Sequence, residues 1–307
     1  MIAEMLTYRR AHDSQGEAEF IRRFIMPTAP EVIAAPDGTV HAYMVTIPRA
    51  DGSRAPYAFC AHTDTVHNRQ NPEPRQSVGF DATRCEYFVN DLAQRDCLGA
   101  DDGAGCYVLL RMIAAQTPGL YVFFRGEERG GIGSRYVAAN RPDIFDGIDC
   151  AIGFDRRGCE SVITHMFCGR TCSDEFADSL ADALGMGHSR DDTGSFTDTA
   201  NLAAIVPECT NVSVGYEREH IAAETLDARY LRALASRLVA VFSGDGPGGL
   251  VIARAPGDFA DGVEDMETPE LAYMRDDDLD WLADGSDPDY LRHVLAEARD
   301  YIRAVSA

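Results

Sequence analysis

Four short apolar runs constrain this chain most: residues 57–61 (YAFCA), 120–124 (LYVFF), 150–154 (CAIGF) and 212–214 (VSV). They are too short for helices and lack polar alternation, which suits strands buried on both faces. Helical patterns lie between them. Residues 105–115 (GCYVLLRMIAA) follow the first run. Residues 173–184 are capped by Ser173 and stopped at Gly185, and 226–242 form a long amphipathic stretch. Strand alternating with helix predicts an α/β fold, three-layer α/β/α with a mainly parallel mixed sheet. Upstream, Asp13, Ser14 and residues 17–26 predict a capped amphipathic helix. Residues 32–35 and 40–47 flank Pro36-Asp37-Gly38 as a hairpin.

The chain has 307 residues and a formal net charge of −22. Such an excess of acid argues against DNA, RNA or an anionic membrane as partner, since all three are polyanions. All 28 basic residues are arginine. Without lysine there is no Schiff-base lysine, no pyridoxal-phosphate lysine and no P-loop lysine. No apolar run approaches the roughly 18 residues of a membrane span, and MIAEMLTYRR lacks a signal-peptide pattern. Nine cysteines form no even framework, so the expected setting is a reducing cytoplasm. A glycine-rich break, SGDGPGGL, follows Phe242. Residues 246–307 then hold 15 acids and 5 arginines. They read as an acidic appendage whose last helix presents Tyr290, Leu291, Val294, Leu295, Ala298, Tyr301 and Ile302 on one face.

The chemistry sits just beyond the apolar runs. His62 and Asp64 (AHTDTV) follow the first. Glu127 and Glu128 (RGEERGGIGS) follow the second, Asp155 (FDRRG) the third and His220 (GYEREH) the fourth. Asp101-Asp102 (LGADDGAG) opens the helix at Gly105. In open parallel sheets ligands bind beyond the carboxyl ends of the strands, so these residues should converge on one edge. So many acids cannot all stay ionised without counter-charge. Arginines flank the motifs only at Arg125, Arg129, Arg156 and Arg157, and a metal cluster is the simplest compensation. Two imidazoles with carboxylates and no thiolate suit Zn²⁺, or Co²⁺ and Mn²⁺. Five ligands with one shared carboxylate would make two three-ligand sites that activate a bridging water. Of the adjacent pair Glu127 and Glu128, one can bind metal while the other faces that water.

Taken singly, each motif is commonplace: His-x-Asp, Glu-Glu and Asp-Asp pairs ordinarily lie on solvated surface. Their ordered placement after strands sets them apart. Together, HTDTV, LGADDGAG, GEERGGIGS, FDRRG and GYEREH resemble the co-catalytic zinc exopeptidases of clan MH over residues 14–242. The resemblance implies that His62, Asp101 and Asp155 hold one zinc. Asp101, Glu128 and His220 would hold a second, with Glu127 as general base and Asp64 orienting His62. His62 and Asp101 lie 39 positions apart, and Asp155 and His220 lie 65 apart. Neither gap holds an inserted lid domain of about 100 residues. This, and aspartate at position 155, bring the chain nearest to the single-domain bacterial zinc aminopeptidases. On this reading residues 1–245 are the di-zinc peptidase domain and 246–307 the appendage.

The implied reaction is hydrolysis at the N-terminus of small peptides, with an oligomer possible. The alternatives are a deacylase or carboxypeptidase-type amidohydrolase acting on N-acyl amino acids, or a non-catalytic binding module on the same fold. Ile221 stands where such enzymes often have serine, and Arg156 and Arg157 where small residues are usual; an arginine in the cleft could bind a substrate carboxylate. Ser195, Thr197 and Asp198 (GSFTDTAN) resemble the loop before the last strand. His67, His165 and His188 read as surface or supporting residues, Cys60 and Cys97 as packing. Cys168 and Cys172 lack the second cysteine pair of a zinc clip.

Overall fold

A computed structural model describes residues 1–90 and 96–258. The antiparallel pair β1 (Glu31–Ala34) and β2 (Val40–Ile47) leads to β3 (Tyr57–His62). The hairpin β4 (Val78–Asp81) and β5 (Glu86–Val89) stands outside the main sheet. Then come β6 (Gly119–Phe124), β7 (Cys150–Arg156) and β8 (Ser161–Ile163). The small hairpin β9 (His165–Met166) and β10 (Gly169–Arg170) precedes β11 (Ser189–Asp191), β12 (Glu208–Ser213), β13 (Tyr216–Glu217) and β14 (Thr225–Asp227). The eight-stranded sheet runs β1-β2-β6-β3-β7-β12-β8-β11. Its middle, β6-β3-β7-β12, is parallel, and β2 joins β6 antiparallel. Every residue of β3, β6 and β12 is buried; β3 and β6 are accordingly apolar, whereas β12 starts four residues before the expected run at 212–214 and buries Glu208, Thr210, Asn211 and Ser213.

Helices cover both faces. They are α1 (Ile2–Met5), α2 (Gln15–Phe20), α3 (Ala100–Ala114), α4 (Ile132–Asn140), α5 (Asp174–Leu184) and α6 (Ala228–Phe242). On one face α3, α5 and α6 close a core around Phe59, Tyr121, Phe154 and Phe242. The Phe59 ring meets Phe242 edge-on at 5.0 Å. On the other face α4 covers a smaller core with Ala58, Cys60, Val122 and Phe124. The helix ends follow their sequence signals. Ser173 accepts the Phe176 amide at 3.1 Å, Gly185 turns left-handed at φ 58°, and Asp227 accepts the amides of Arg229 and Tyr230.

Three features depart from the sequence expectation or extend it. The helix expected over 17–26 is capped by Ser14 and regular only to Phe20, then widens into a π turn over Ile21–Ile25. The apolar stripe is still buried. The β4–β5 hairpin joins β13 and β14 in a second sheet of order β13-β14-β5-β4; β5 buries Tyr87 and Val89, while Phe80 and Phe88 are exposed. Past the glycine-rich break, Val251 donates to the Ser179 hydroxyl, and the Ala253 and Arg254 amides donate to Glu208. The buried Arg254 guanidinium donates to the carbonyls of Thr171, Pro207 and Asp258. The expected terminal helix over 290–302 lies outside the described residues. No described helix is long and apolar enough to cross a membrane.

Candidate metal centre

The parallel strands deliver the expected residues to one edge. His62 ends β3 and Asp155 lies near the carboxyl end of β7, its side chain largely buried. Glu127 and Glu128 sit in the turn after β6, between Gly126 and Gly130, both left-handed at φ 75° and 81°. Asp101 stands at the mouth of α3; it and Asp102 have non-helical backbone angles, and the peptide between them is cis. His220 follows β13 with φ 68°.

One carboxylate ties the cluster together. Asp101 Oδ1 lies 3.1 Å from His62 Nε2, and Asp101 Oδ2 lies 3.1 Å from His220 Nε2. Beside His62 stands Asp155, its Oδ1 at 3.5 Å; beside His220 stands Glu128, its Oε2 at 3.3 Å. Glu127 Oε2 is 3.8 Å from His62 Nε2. The other Glu128 oxygen is buried without a hydrogen-bond partner. The donor set is two imidazoles and three carboxylates without sulfur, which fits borderline divalent ions such as zinc.

Burial and mutual repulsion govern the charges. Burial, then the neighbouring Asp101 charge, lifts Asp155 to about 7. Burial also lifts Glu127 well above the usual carboxylate range, helped by Asp155, Glu128 and Asp198, and it raises Glu128. Asp101 goes the other way: burial opposes its ionisation, but hydrogen bonds to His220 and His62 overcome that and lower it. For the two histidines burial is the largest influence and favours the neutral ring. The surrounding carboxylates outweigh it and hold both well above the ordinary imidazole value.

A ring of supporting residues sets this geometry. Asp64 Oδ1 lies 3.6 Å from His62 Nδ1 and accepts the amides of Gly126 and Glu127 at 2.8 and 3.2 Å. It thus links the β3 end to the Glu127 turn. Asp102 is fully buried, accepting the amides of His62 and Gly105. Asn211 grips Asp155 through both its backbone groups, and Tyr216 donates its hydroxyl to Asp155 Oδ1 at 3.1 Å. Glu224 accepts the amides of Gly99, Ala100 and Asp101 at 2.8, 2.8 and 3.0 Å. The sequence reading missed Glu224; the only signal was its position four residues after His220. Asp198, whose role the sequence left open, is buried near Glu127 and is lifted by burial to about 8.

Gly105 shows how tight the packing is. A Cβ there would stand 2.3 Å from the Phe154 carbonyl oxygen and 2.5 Å from the Asp102 carboxylate. Gly105→Ala should therefore cost about 1–3 kcal/mol, read as a lowered Tm; an unchanged Tm would mean the Asp102 loop yields freely.

The remaining candidates fall away from the cluster. Arg156 pairs with Asp191 and Thr193, and Arg157 with Glu219. Ile221 is exposed. His67 is buried against the Asp101 loop: a Cβ on Gly99 would lie 2.7 Å from its ring. His188 meets the Tyr230 hydroxyl at 2.7 Å, and Thr164 meets His165. Cys60 and Cys97 are buried, and Cys168 and Cys172 belong to no group of metal-binding side chains among the described residues.

Residues 43–200, just over half of the chain, match peptidase family M28. The chain belongs to that family. It is a metallopeptidase of the aminopeptidase-like kind, and M28 membership implies metal ions, typically zinc. The matched stretch includes every candidate site residue except His220. No curated protein matches the chain by sequence. Solved structures share its fold. A Staphylococcus aureus tripeptidase aligns with TM-score 0.62 at 13% identity, over 78% of this chain and 95% of that one. A Bacillus cereus aminopeptidase aligns with TM-score 0.59 at 15% identity, over 78% and 96%. The TET1 peptidase of Pyrococcus horikoshii, which can assemble into a tetrahedron or a large octahedral shell, aligns with TM-score 0.53 at 14% identity, over 79% and 99%.

Proposed function

We propose that this M28 chain is a two-zinc aminopeptidase. The observation that carries the reading is the Asp101 carboxylate, with one oxygen turned to His62 and the other to His220. His62 and Asp155 would hold one ion, His220 and Glu128 the other, with Asp101 shared. Bound there, the ions would supply Lewis acidity, acidifying water and polarising a carbonyl. Glu127 stands at the rim of the cluster, belongs to neither ligand set and serves as general base. It takes the proton of the attacking water and returns it to the leaving amine. Its raised carboxyl suits a base working near neutral pH. Asp64 keeps the His62 ring turned with Nε2 toward Asp101.

The charge balance favours substrates that enter amino-end first. The site is rich in buried carboxylate, while the neighbouring Arg156 and Arg157 are engaged by acids of adjacent loops. Two bound ions would offset the charge of the ligand carboxylates, so selection of the amino end would rest on the carboxylates outside the ligand set and on both arginines being already paired. Aminoacyl p-nitroanilides and their N-acetylated counterparts provide the test. Release of nitroaniline from the free-amine substrates alone is expected; release from the acetylated set would mean an endopeptidase, and release of acetate with the anilide intact a deacylase.

Zinc titration of chelator-stripped protein should saturate at two equivalents per chain. Full activity at one equivalent would sink the shared-carboxylate reading. Metal uptake should also depend on pH. Both histidines are raised above the ordinary imidazole value, so at pH 7 they carry protons that must leave before the rings can ligate. Zinc binding in weak buffer near pH 7 is expected to release protons, and affinity should rise with pH until both rings are neutral. Binding without proton release would contradict this.

A further inference from the structure

Arg10 is the largest fully buried side chain of the molecule as described, at 0% exposure. It lies upstream of the stretch that matches the family. Its Nε donates to the Thr63 carbonyl at 2.9 Å and its Nη2 to the Gly99 carbonyl at 2.9 Å. Nη1 has no hydrogen-bond partner, and the guanidinium lies 4.6 Å from the centre of the Phe20 ring. Both carbonyl partners border the metal centre: Thr63 follows His62, and Gly99 stands two residues before Asp101. The guanidinium also packs against Gly103, directly after the Asp101-Asp102 pair; a Cβ there would lie 3.3 Å from Nη1 and Nη2.

The backbone of the same segment follows the His62 loop. The Arg10 carbonyl accepts the Thr65 amide at 3.0 Å, the Arg10 amide donates to His67 Nδ1 at 3.3 Å, and Ala11 bridges to Thr65. Burying a guanidinium on carbonyls alone is unfavourable unless a negative field compensates it. Carboxylates border both loops it holds: Glu17 accepts the Thr63 hydroxyl, Glu224 accepts the Gly99 amide, and the Asp101-Asp102 pair precedes Gly103.

We propose that Arg10 is a positioning residue of the metal centre, its planar fork clamping the His62 loop to the Asp101 loop and so setting the separation of the two ligands. The proposal rests on the metal-binding reading above. A fork with two donors in fixed geometry spans two carbonyls; a lysine ammonium is a point donor and satisfies one of them well. Charge alone would have the opposite effect, since a buried cation repels an incoming metal ion. The clamp and the charge therefore predict opposite signs for removal of Arg10.

Co²⁺ titration of the full chain, followed by the visible bands of the bound ion, separates the two. Arg10→Lys keeps the charge and breaks the fork. It should weaken Co²⁺ binding by about 10–100-fold and change the band shape, with the far-ultraviolet circular dichroism of wild type. Arg10→Met should bind at least as weakly. Phe20→Leu retains Arg10 but removes the ring beneath it, and should give a smaller loss of the same sign should either Arg10 variant fail to fold. Wild-type affinity and spectrum in Arg10→Lys and Phe20→Leu, or tighter binding in Arg10→Met, would overturn the clamp. Wild-type protein that takes up no Co²⁺ would overturn the metal reading itself, whereas two ions bound by wild type and Arg10→Lys alike would overturn only the role of Arg10.

Discussion

Glu127→Gln is expected to lower kcat by roughly 10²–10⁴-fold while leaving two metal ions bound, the usual scale for loss of a general base. The substitution preserves shape and removes only the proton acceptor. Glu127 Oε2 lies 3.8 Å from His62 Nε2, beside the cluster and on the side of the ring that faces Asp101, whereas Asp64 stands behind the ring at Nδ1. Its amide is held by Asp64, so the backbone of the turn stays in place when the side chain changes. Glu128 differs: its Oε2 faces His220 at 3.3 Å, so Glu128→Gln should weaken one metal site. Elemental analysis alongside steady-state kinetics reads both. If Glu127→Gln lost metal while Glu128→Gln kept it, the two roles would be exchanged.

Asp101→Ala is expected to abolish activity by emptying both sites. Asp101 faces both histidines at 3.1 Å, and no other side chain of the described cluster is placed between them in this way. Breaking a buried charge pair costs about 3–5 kcal/mol, which corresponds to roughly 10²–10³-fold or more in affinity. Asp155→Asn, touching only the His62 side, should leave one ion bound near the wild-type level. Chelator-competition titrations distinguish the cases. An Asp101→Ala protein that kept one tight ion would mean that the sites do not share this carboxylate.

Much of this could be read from the chain alone, and for a common reason. A strand buried on both faces is usually apolar, so YAFCA, LYVFF and CAIGF announced β3, β6 and β7; β12 is as buried but carries Glu208, Thr210, Asn211 and Ser213, so only its last residues showed in the sequence. Parallel strands all end on one edge, so the polar residues just beyond each run had to meet there. That groups His62, Glu127, Glu128 and Asp155 from three separated stretches of the sequence. The Ser173 and Asp227 caps and the Gly185 stop belong to the same class of local signals.

Other features were settled only by the tertiary structure. Glu224 is an ordinary surface-type residue in sequence, yet its carboxylate holds three consecutive amides of the Asp101 loop. Arg156 and Arg157 sit beside a metal-ligand candidate in sequence, yet pair with Asp191 and Glu219 on loops 35 and 62 residues away. Arg10 carries no pattern at all and is the largest fully buried side chain among the described residues. Hydrophobic period and cap chemistry report a residue's neighbours along the chain. The partner of a charged side chain depends on which distant loops the packed sheet brings within hydrogen-bonding distance, and nothing local encodes that.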